Sequence, residues 1–357
     1  MKKSYVVMTL LIVASLALSA CAGTPAPAED ELKIGVVTDV GQLEDKSFNQ
    51  ASWEGGMAAA ENLGATFDVI VTENISDYKQ NIQTFVDQGF DIIITVGFLL
   101  GTDTTIAAKE NPDVRFIGVD QGICVDENGE PDPTFACAGD AATLLPNYQG
   151  IVFAEEQAGY LAGIVAASLS ETGTIGAVGG TNVPAVVAYN AGYVAGAQSV
   201  NPDIVTLYQE VNPDPAVGFN DPATGKAIAQ QFIGQGADVL FQIAGLTGQG
   251  VLEAACDAGI YGIGVDVDQV ETLPNLAQCI VTSAEKKLKD TVQAVTESAA
   301  GDNFQAGTVS YNAASTPPAI GLAPFHEFEG MITPEIQALL DEATAAMANG
   351  EISPPRQ

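Results

Sequence analysis

Basic residues are scarce in this chain, and histidine is almost absent. The 357 residues include 12 Lys and Arg, 45 Asp and Glu and one histidine, His326, which gives a formal charge of −33 at pH 7. Nucleic acid and anionic membrane surfaces would repel such a chain, so binding to either is not expected. Because 47% of the residues are apolar and only 16% are charged, the composition is that of a globular protein rather than a disordered acidic chain.

The sequence also lacks the motifs of several enzyme classes. No Gly-x-Ser-x-Gly elbow is present, and His326 does not follow a predicted strand, so a Ser-His-Asp triad is not expected. The loop after the first predicted strand carries Asp39, Glu44 and Asp45 instead of the glycines and lysine that bind phosphate. A glycosidase pair formed by Asp39 and Asp266 stays open as an alternative, although carboxylates are common throughout so acidic a chain.

Residues 1–20 have the pattern of a secretory signal peptide. Lys2 and Lys3 precede an apolar run from Tyr5 to Leu18, which is too short for a comfortable membrane span. The Leu-Ser-Ala tripeptide before Cys21 resembles a bacterial lipobox, in which cleavage precedes the cysteine and its sulfur is lipidated. We therefore expect residues 21–31 to be a lipidated cysteine and flexible tether that hold the protein on the extracytoplasmic face of the cell membrane.

Four further cysteines are Cys124, Cys137, Cys256 and Cys279, and no Cys-x-x-Cys motif exists among them. A zinc site at these cysteines, and metal binding in general, is therefore not expected. In an exported chain the four can form disulfides in three connectivities. We favour Cys124 with Cys137, which bracket one polar loop, and hence Cys256 with Cys279.

From Leu32 onward, short apolar runs alternate with helical periodicities, which predicts βαβ units and parallel sheets. The alternation restarts after the loop that the first cysteine pair brackets, so two sheets of the same kind are expected. The predicted fold class is α/β, with two Rossmann-like lobes joined by three crossings of the chain. Residues 32–150 and 280–311 are assigned to the N-terminal lobe, and residues 151–279 and 312–357 to the C-terminal lobe. One predicted helix covers Ala284–Ala300.

Polar, glycine and aromatic residues follow many of these predicted strands. They are Asp39 with Phe48, Gly97-Phe98, Asp120-Gln121, Gly179-Gly180, Phe241 with Ala244-Gly245, and Asp266 to Gln269. Because ligands bind outside the carboxyl ends of strands in open α/β sheets, these residues predict a shared cleft.

The rings and charges in this set predict a clamp for a flat ligand. Phe48 from one lobe and Phe241 from the other are predicted to stack on its two faces. Asp39 is expected to accept N–H donors from its edge, and Asp266 to accept sugar hydroxyls. Lys286 is expected to balance a buried carboxylate.

Several motifs together resemble the bacterial basic membrane protein family, lipoproteins of the purine nucleoside receptor type that serve ABC transporters as substrate-binding proteins. They are Asp45-Lys46-Ser47-Phe48-Asn49-Gln50, Gly118-Val119-Asp120, Phe241 to Gly245, Gly264-Val265-Asp266-Val267-Asp268-Gln269, and Thr282-Ser283 with Lys286. The resemblance implies a type I periplasmic-binding-protein fold without a cofactor. It also implies a ligand-binding set of Asp39, Phe48, Asn49, Asp120, Phe241, Gly245, Asp266 and Lys286.

The function that this resemblance implies is capture of a nucleoside, most simply a purine nucleoside, and its delivery to a membrane permease. Leu246 stands where the family often has a second glycine, and its side chain would reshape the ribose end of the pocket. Two alternatives stay open. One is the same fold with a sugar, an autoinducer or another aromatic ligand, and the other is a nucleoside-cleaving enzyme.

Overall fold

The computed structural model describes residues 31–357. The predicted signal peptide, Cys21 and nearly all of the tether lie outside the described residues. Within residues 31–357, no helix has the length and apolar character needed to cross a membrane.

Twelve strands in the described chain form two six-stranded sheets. They are β1 (Lys33–Val40), β2 (Thr66–Thr72), β3 (Ile92–Val96), β4 (Arg115–Val119), β5 (Tyr148–Phe153), β6 (Thr174–Gly179), β7 (Val205–Glu210), β8 (Val239–Ile243), β9 (Tyr261–Asp266), β10 (Ile280–Lys286), β11 (Gly307–Tyr311) and β12 (Ile320–Leu322). The first sheet has the order β11-β5-β4-β3-β1-β2, and the second has the order β12-β10-β9-β8-β6-β7. All pairs are parallel except β10 with β12.

Helices connect these strands and cover the sheets. They are α1 (Phe48–Leu63), α2 (Tyr78–Asp87), α3 (Gly101–Glu110), α4 (Ala141–Leu144), α5 (Glu155–Leu169), α6 (Pro184–Val200), α7 (Pro215–Gly218), α8 (Pro222–Gly234), α9 (Thr247–Ala258), α10 (Gln269–Thr272), α11 (Leu288–Ala299) and α12 (Pro334–Ala348). Central strands such as β3 and β8 are buried along their whole length. This is why apolar residues predominate in both strands, with Thr95 in β3 and Gln242 in β8 as buried polar exceptions.

The chain passes between the two sheets three times, after β5, after β10 and after β11. The predicted architecture, two lobes that each contain a parallel sheet and are joined by three crossings of the chain, is therefore confirmed. Two of the predicted boundaries differ from the sheets. The strand β10 belongs to the second sheet although residues 280–311 were assigned to the first lobe, and β5 lies wholly in the first sheet although the boundary was placed at 150/151.

The end of β10 also differs from the prediction, and this difference has a physical cause. Residues Ala284 to Lys286, predicted as the start of a helix, continue the strand, and the helix begins only at Leu288. Glu285 and Lys286 look like the solvated first turn of a helix, but both are buried and paired with opposite charges. Charged residues of this kind are rarely buried unless they are paired, and one sequence does not show the pairing.

The four cysteines that we predicted to form disulfides are paired as favoured, Cys124 with Cys137 and Cys256 with Cys279. The first disulfide closes the loop between β4 and β5. A short bridge between Val125 and Pro131 lies inside this loop, and Asp132 accepts hydrogen bonds from the N–H groups of Thr134 at 2.9 Å and Cys137 at 3.0 Å. The loop is thus held by internal contacts as well as by the covalent bond.

Candidate functional site

A cavity of about 90 Å³ lies between the carboxyl ends of the strands of the two sheets. The predicted binding residues that line it are Asp39, Phe48, Asn49, Asp120, Gly245, Asp266 and Lys286. The structure adds Asp45, Tyr189 and Phe219 to the wall. Residues from both lobes therefore share one small space, at the edge where open α/β sheets bind ligands.

Phe241 does not line this cavity, so its predicted role as a stacking ring is wrong. Its side chain is fully buried in the core, with its ring centroid 5.1 Å from that of Tyr193 and 6.0 Å from that of Tyr189. Both tyrosines lie on α6. Because side chains within a strand stand perpendicular to the sheet, Phe241 is directed onto this covering helix, and only residues at or beyond the strand end, such as Ile243 and Ala244, reach the cleft.

Phe219 is the aromatic residue that the second lobe supplies to the cavity. It follows the short helix α7, and its carbonyl oxygen accepts a hydrogen bond from the N–H of Thr247 at 3.2 Å. A side chain at Gly180 would overlap the Phe219 ring, so the glycine makes room for it. Sequence reasoning missed Phe219 because it lies in a loop away from the strand ends. The available signal was a lone aromatic in the polar stretch from Asn212 to Asp221.

Asp45 positions two of the first-lobe residues by capping α1. Its carboxylate accepts hydrogen bonds from the N–H groups of Ser47 at 2.9 Å, Asn49 at 2.9 Å and Gln50 at 3.2 Å. These N–H groups would otherwise be unpaired at the helix N-terminus. Burial raises the pKa of Asp45 to about 6, although the three N–H donors oppose the rise. The cap fixes the start of the helix, and with it Phe48 and Asn49.

Asp39 is held on several sides at the end of β1. The Tyr78 O–H donates a hydrogen bond to its Oδ1, and the N–H of Val40 donates to the same oxygen at 2.7 Å. A side chain at Gly97 would overlap Oδ2, so this glycine with φ of 106° gives the carboxylate its place. Burial raises the pKa of Asp39 to about 6, which makes it an acceptor that titrates near neutrality.

Lys286 is a buried cation among three carboxylates that come from both lobes. Its Nζ lies 2.5 Å from Asp120 Oδ2, 3.5 Å from Glu155 Oε1 and 3.9 Å from Asp266 Oδ1. It also lies 4.7 Å from the ring centroid of Phe48, within cation–π range. Burial alone would lower the pKa of Lys286, but the surrounding carboxylates outweigh burial and raise it. Lys286 therefore stays charged and neutralises part of the acidic site.

Asp120 and Asp266 have the same unusual backbone geometry. Their φ angles are 56° and 66°, in the left-handed region that non-glycine residues seldom adopt. Such strain is concentrated at functional sites, where the surrounding structure enforces it. Burial raises the pKa of Asp266, although Lys286 opposes the rise. Tyr189, which was not among the predicted site residues, donates a hydrogen bond from its hydroxyl to Asp266 Oδ1 at 3.4 Å.

Direct hydrogen bonds connect the two lobes beside the cavity. Ser47 Oγ donates to Asp266 Oδ2 at 2.7 Å, and the carbonyl oxygen of Lys46 accepts from Gln269 Nε2 at 3.3 Å and Thr272 Oγ1 at 3.1 Å. The lobes are thus closed on each other. A cavity of about 90 Å³ is smaller than the roughly 300–1,000 Å³ of most small-molecule sites, so side chains or lobes must move to admit a ligand.

Two buried acceptors of residues that line this cavity have no hydrogen-bond partner in residues 31–357. They are Asn49 Oδ1 and Asp120 Oδ1. Buried polar atoms are normally paired, so unpaired acceptors beside a cavity are suited to N–H or O–H donors of a ligand. Rings from two lobes, with acceptors around them, form a site for a flat group that carries hydrogen-bond donors.

One group of side chains in the described chain could hold a metal ion, and it contains none of the cavity residues. Asp268, Glu271 and His326 offer ligand atoms within 4.8 Å of one another. His326 Nε2 lies 2.7 Å from Asp268 Oδ2, a contact that already uses one nitrogen and one oxygen of the group. This contact also places His326 against the neighbouring loop rather than in a catalytic triad.

Comparisons with known proteins agree on one family. The sequence profile described as "ABC transporter substrate-binding protein PnrA-like" matches residues 32–323. The "ABC transporter nucleoside-binding protein BmpA" of Lactococcus lactis is 30% identical, with 99% of each chain covered. "Basic membrane protein A" of Borreliella burgdorferi is 27% identical and covers 98% of this chain and 95% of its own.

Solved structures share this fold. The crystal structure of an ABC transporter solute-binding protein from Aeropyrum pernix superposes with a TM-score of 0.78 at 23% identity, over 91% of this chain and 94% of the other. Structural likeness at that identity shows the fold alone, but the sequence profile covers most of the chain. This chain belongs to the basic membrane protein family, the PnrA-like substrate-binding proteins of ABC transporters.

Proposed function

We propose that this protein is a lipid-anchored extracytoplasmic receptor that captures a purine nucleoside between its lobes and delivers it to an ABC permease. The assignment of a nucleoside as the ligand rests on one observation: Phe48 and Phe219 come from different lobes and line one cavity. Aromatic side chains that stack on nucleic-acid bases contribute roughly 1–3 kcal/mol per base. Two rings brought together by lobe closure suit a base, and the nucleoside-binding name of the Lactococcus lactis relative supports this assignment.

The polar residues of the cavity form two groups, one at the end that binds the base and one at the end that binds the sugar. Asp39 and Asn49 Oδ1 are the acceptors for N–H groups on the edge of the base. Asp266 accepts ribose hydroxyls, and Lys286 and Asp120 complete the ribose end. The carboxylates of Asp39, Asp120 and Asp266 disfavour a phosphate in the same space, because like charges repel strongly where water is excluded. A neutral nucleoside is therefore a better ligand than a nucleotide.

Thermal unfolding with a panel of ligands tests this proposal. A ligand that binds only the folded state stabilises it by RT ln(1 + [L]/Kd), about 2.7 kcal/mol at 100 Kd. We expect inosine, guanosine or adenosine to raise the midpoint and their phosphates not to do so. Phe48→Ala and Asp266→Ala should each remove most of the shift. A shift with a sugar or another aromatic compound alone would keep the binding fold and reject the nucleoside.

Two further measurements test the remaining parts of the proposal. Prolonged incubation with inosine or adenosine should release no free base, and release would identify an enzyme instead. Cells that express the chain should incorporate labelled fatty acid into the protein, and Cys21→Ser should abolish the incorporation. Unchanged labelling of that variant would reject the lipid anchor at Cys21.

A further inference from the structure

A second and larger cavity adjoins the proposed nucleoside site. Its volume is about 470 Å³, and it shares Asp120 and Ala185 with the wall of the first cavity. The shared residues place it beside the end of the site that Asp120 occupies, which is the sugar end in the proposed function. The two cavities are therefore neighbours, with Asp120 and Ala185 between them.

The walls of this second compartment are mainly apolar. Phe98, Ile123 and Val152 come from the first lobe and Pro184 from the second, and Phe135 contributes the ring of the loop closed by Cys124 and Cys137. The Phe135 side chain stands out because 69% of its surface is exposed. Most large apolar side chains of this chain are buried, so an exposed ring beside a ligand site offers apolar surface that a ligand can cover.

The loop holds Phe135 in place. The N–H of Phe135 donates to the carbonyl oxygen of Asp132 at 3.1 Å, and the carboxylate of Asp132 caps Thr134 and Cys137. The φ angle of Phe135 is 56°, which is uncommon for a residue with a large side chain. This turn and the adjacent disulfide hold the backbone in that conformation. Because the loop is already held in one conformation, it loses little conformational entropy when a ligand covers Phe135.

The charges around the compartment disfavour an anionic ligand. Arg356 lies on its wall, but Nη2 is 3.0 Å from Glu155 Oε2 and Nη1 is 2.5 Å from Glu156 Oε2. Lys286 is likewise occupied by Asp120. Both cations are thus neutralised by the protein's own carboxylates, while Asp120 Oδ1 remains an unpaired acceptor at the junction of the two cavities.

We infer that the second compartment binds an uncharged apolar substituent on C5′ of the nucleoside, with Phe135 as a specificity-determining residue. This inference rests on the proposed function. A carboxylate and a lysine that bind the vicinal 2′ and 3′ hydroxyls leave C5′ as the position from which a substituent can extend. Asp120 Oδ1 then lies beside C5′ at the junction of the two cavities, and the apolar group lies against Phe98 and Phe135.

Isothermal titration calorimetry with adenosine, 5′-deoxy-5′-methylthioadenosine and adenosine 5′-monophosphate tests the inference. We expect the methylthio compound to bind at least as tightly as adenosine, and the monophosphate to bind more weakly than both. Phe135→Ala should raise the ratio of the methylthioadenosine Kd to the adenosine Kd about fivefold or more. Phe135→Leu keeps an apolar side chain and should bring this ratio back towards the value of the native protein. Leu339→Ala removes another exposed apolar side chain, 42% accessible, from α12 and should leave the ratio unchanged.

The outcomes separate this inference from the proposed function. Tight adenosine binding with methylthioadenosine bound tenfold more weakly, or a ratio that Phe135→Ala does not change, would overturn the compartment and keep the nucleoside receptor. Tighter binding of the monophosphate than of the methylthio compound would overturn its uncharged character. Failure of both uncharged compounds to bind would reject the adenosine-type receptor itself. Circular dichroism of Phe135→Ala checks that this exposed substitution leaves the fold intact.

Discussion

Phe219 packs its ring on Gly180 and forms one wall of the cavity, whereas Phe241 packs on Tyr189 and Tyr193 behind that wall. Phe219 therefore contributes to the free energy of ligand binding, and Phe241 contributes to the free energy of folding. The Phe219 ring contributes little to the stability of the ligand-free protein, and it gains contacts when a flat ligand is bound. Phe241 contributes to folding whether or not a ligand is present.

Substitution at these two positions separates binding from stability. Phe219→Ala should weaken nucleoside binding by roughly 1–3 kcal/mol, the loss of one stacking contact, with little change in the unfolding midpoint. Phe241→Leu should lower the midpoint and leave the affinity nearly unchanged. Calorimetry and thermal unfolding of both variants provide the comparison. Equal losses of affinity in the two variants would mean that the stacking ring has been assigned wrongly.

Asp39 gives the site a predicted pH dependence. Burial raises its pKa to about 6, and only the ionised carboxylate is purely an acceptor for N–H groups of a base. Protons compete with the ligand below that pKa, so the affinity should be constant above pH 7 and fall about tenfold for each pH unit below 6. Calorimetry between pH 5 and pH 8 measures the profile.

Asp39→Asn is the control for this profile, because the amide keeps one acceptor oxygen but does not titrate. Its affinity should be lower than that of the native protein and nearly independent of pH over the same range. Asp45 also has a raised pKa, about 6, but its carboxylate is occupied by backbone N–H groups. A slope that persists in Asp39→Asn would transfer the titration to another group such as Asp45.

At the scale of elements, α5 and α6 show how glycine sets the distance between two helices. Side chains at Gly159 and Gly163 on α5, or at Gly192 and Gly196 on α6, would overlap the backbone of the other helix. These glycines therefore allow the two helix backbones to approach closely. This tight pair lies directly after the first crossing of the chain and carries Tyr189 to the cavity.

Gly196→Ala tests the importance of that contact. The new methyl group would overlap the carbonyl oxygen of Tyr160, so the helices must separate, and overpacking of this kind costs about 1–3 kcal/mol of unfolding free energy. Gly234→Ala is the matched control, since it lies in α8 with no atom within 4 Å of the added methyl. Urea unfolding should show a lower midpoint for the first variant only, and equal midpoints would contradict the packing argument.

The elements also show what could be predicted from the sequence and why the rest could not. The strands β3, β4 and β8 belong to the predicted alternation of strands and helices because apolar residues predominate in each of them. Lys286 was predicted to lie in a helix, because its burial in a strand depends on the ion pair with Asp120, which lies in the other lobe. Phe219 was missed because a loop has no periodicity, and its position depends on Gly180. Contacts between distant segments determine both cases, and no local pattern records them.

The whole molecule carries a formal charge of −33, with few cations to offset it. Repulsion among so many carboxylates opposes the compact state, whereas the proposed ligand is neutral. Folding and binding should therefore respond differently to salt. The Debye length falls from about 10 Å at 0.1 M salt to about 3 Å at 1 M, so the surface repulsion is largely screened at the higher concentration.

We expect the thermal unfolding midpoint to rise when NaCl is increased from 0.1 M to 1 M, because screening relieves repulsion that is stronger in the folded state. The affinity for an uncharged nucleoside should change little over the same range. KCl at equal concentrations distinguishes screening from binding of one particular cation, since both salts should give the same midpoints. A nucleoside affinity that depends steeply on salt would mean that a charged ligand or a bound ion takes part in the site. A midpoint that falls with salt would mean that attractive ion pairs on the surface outweigh the surface repulsion.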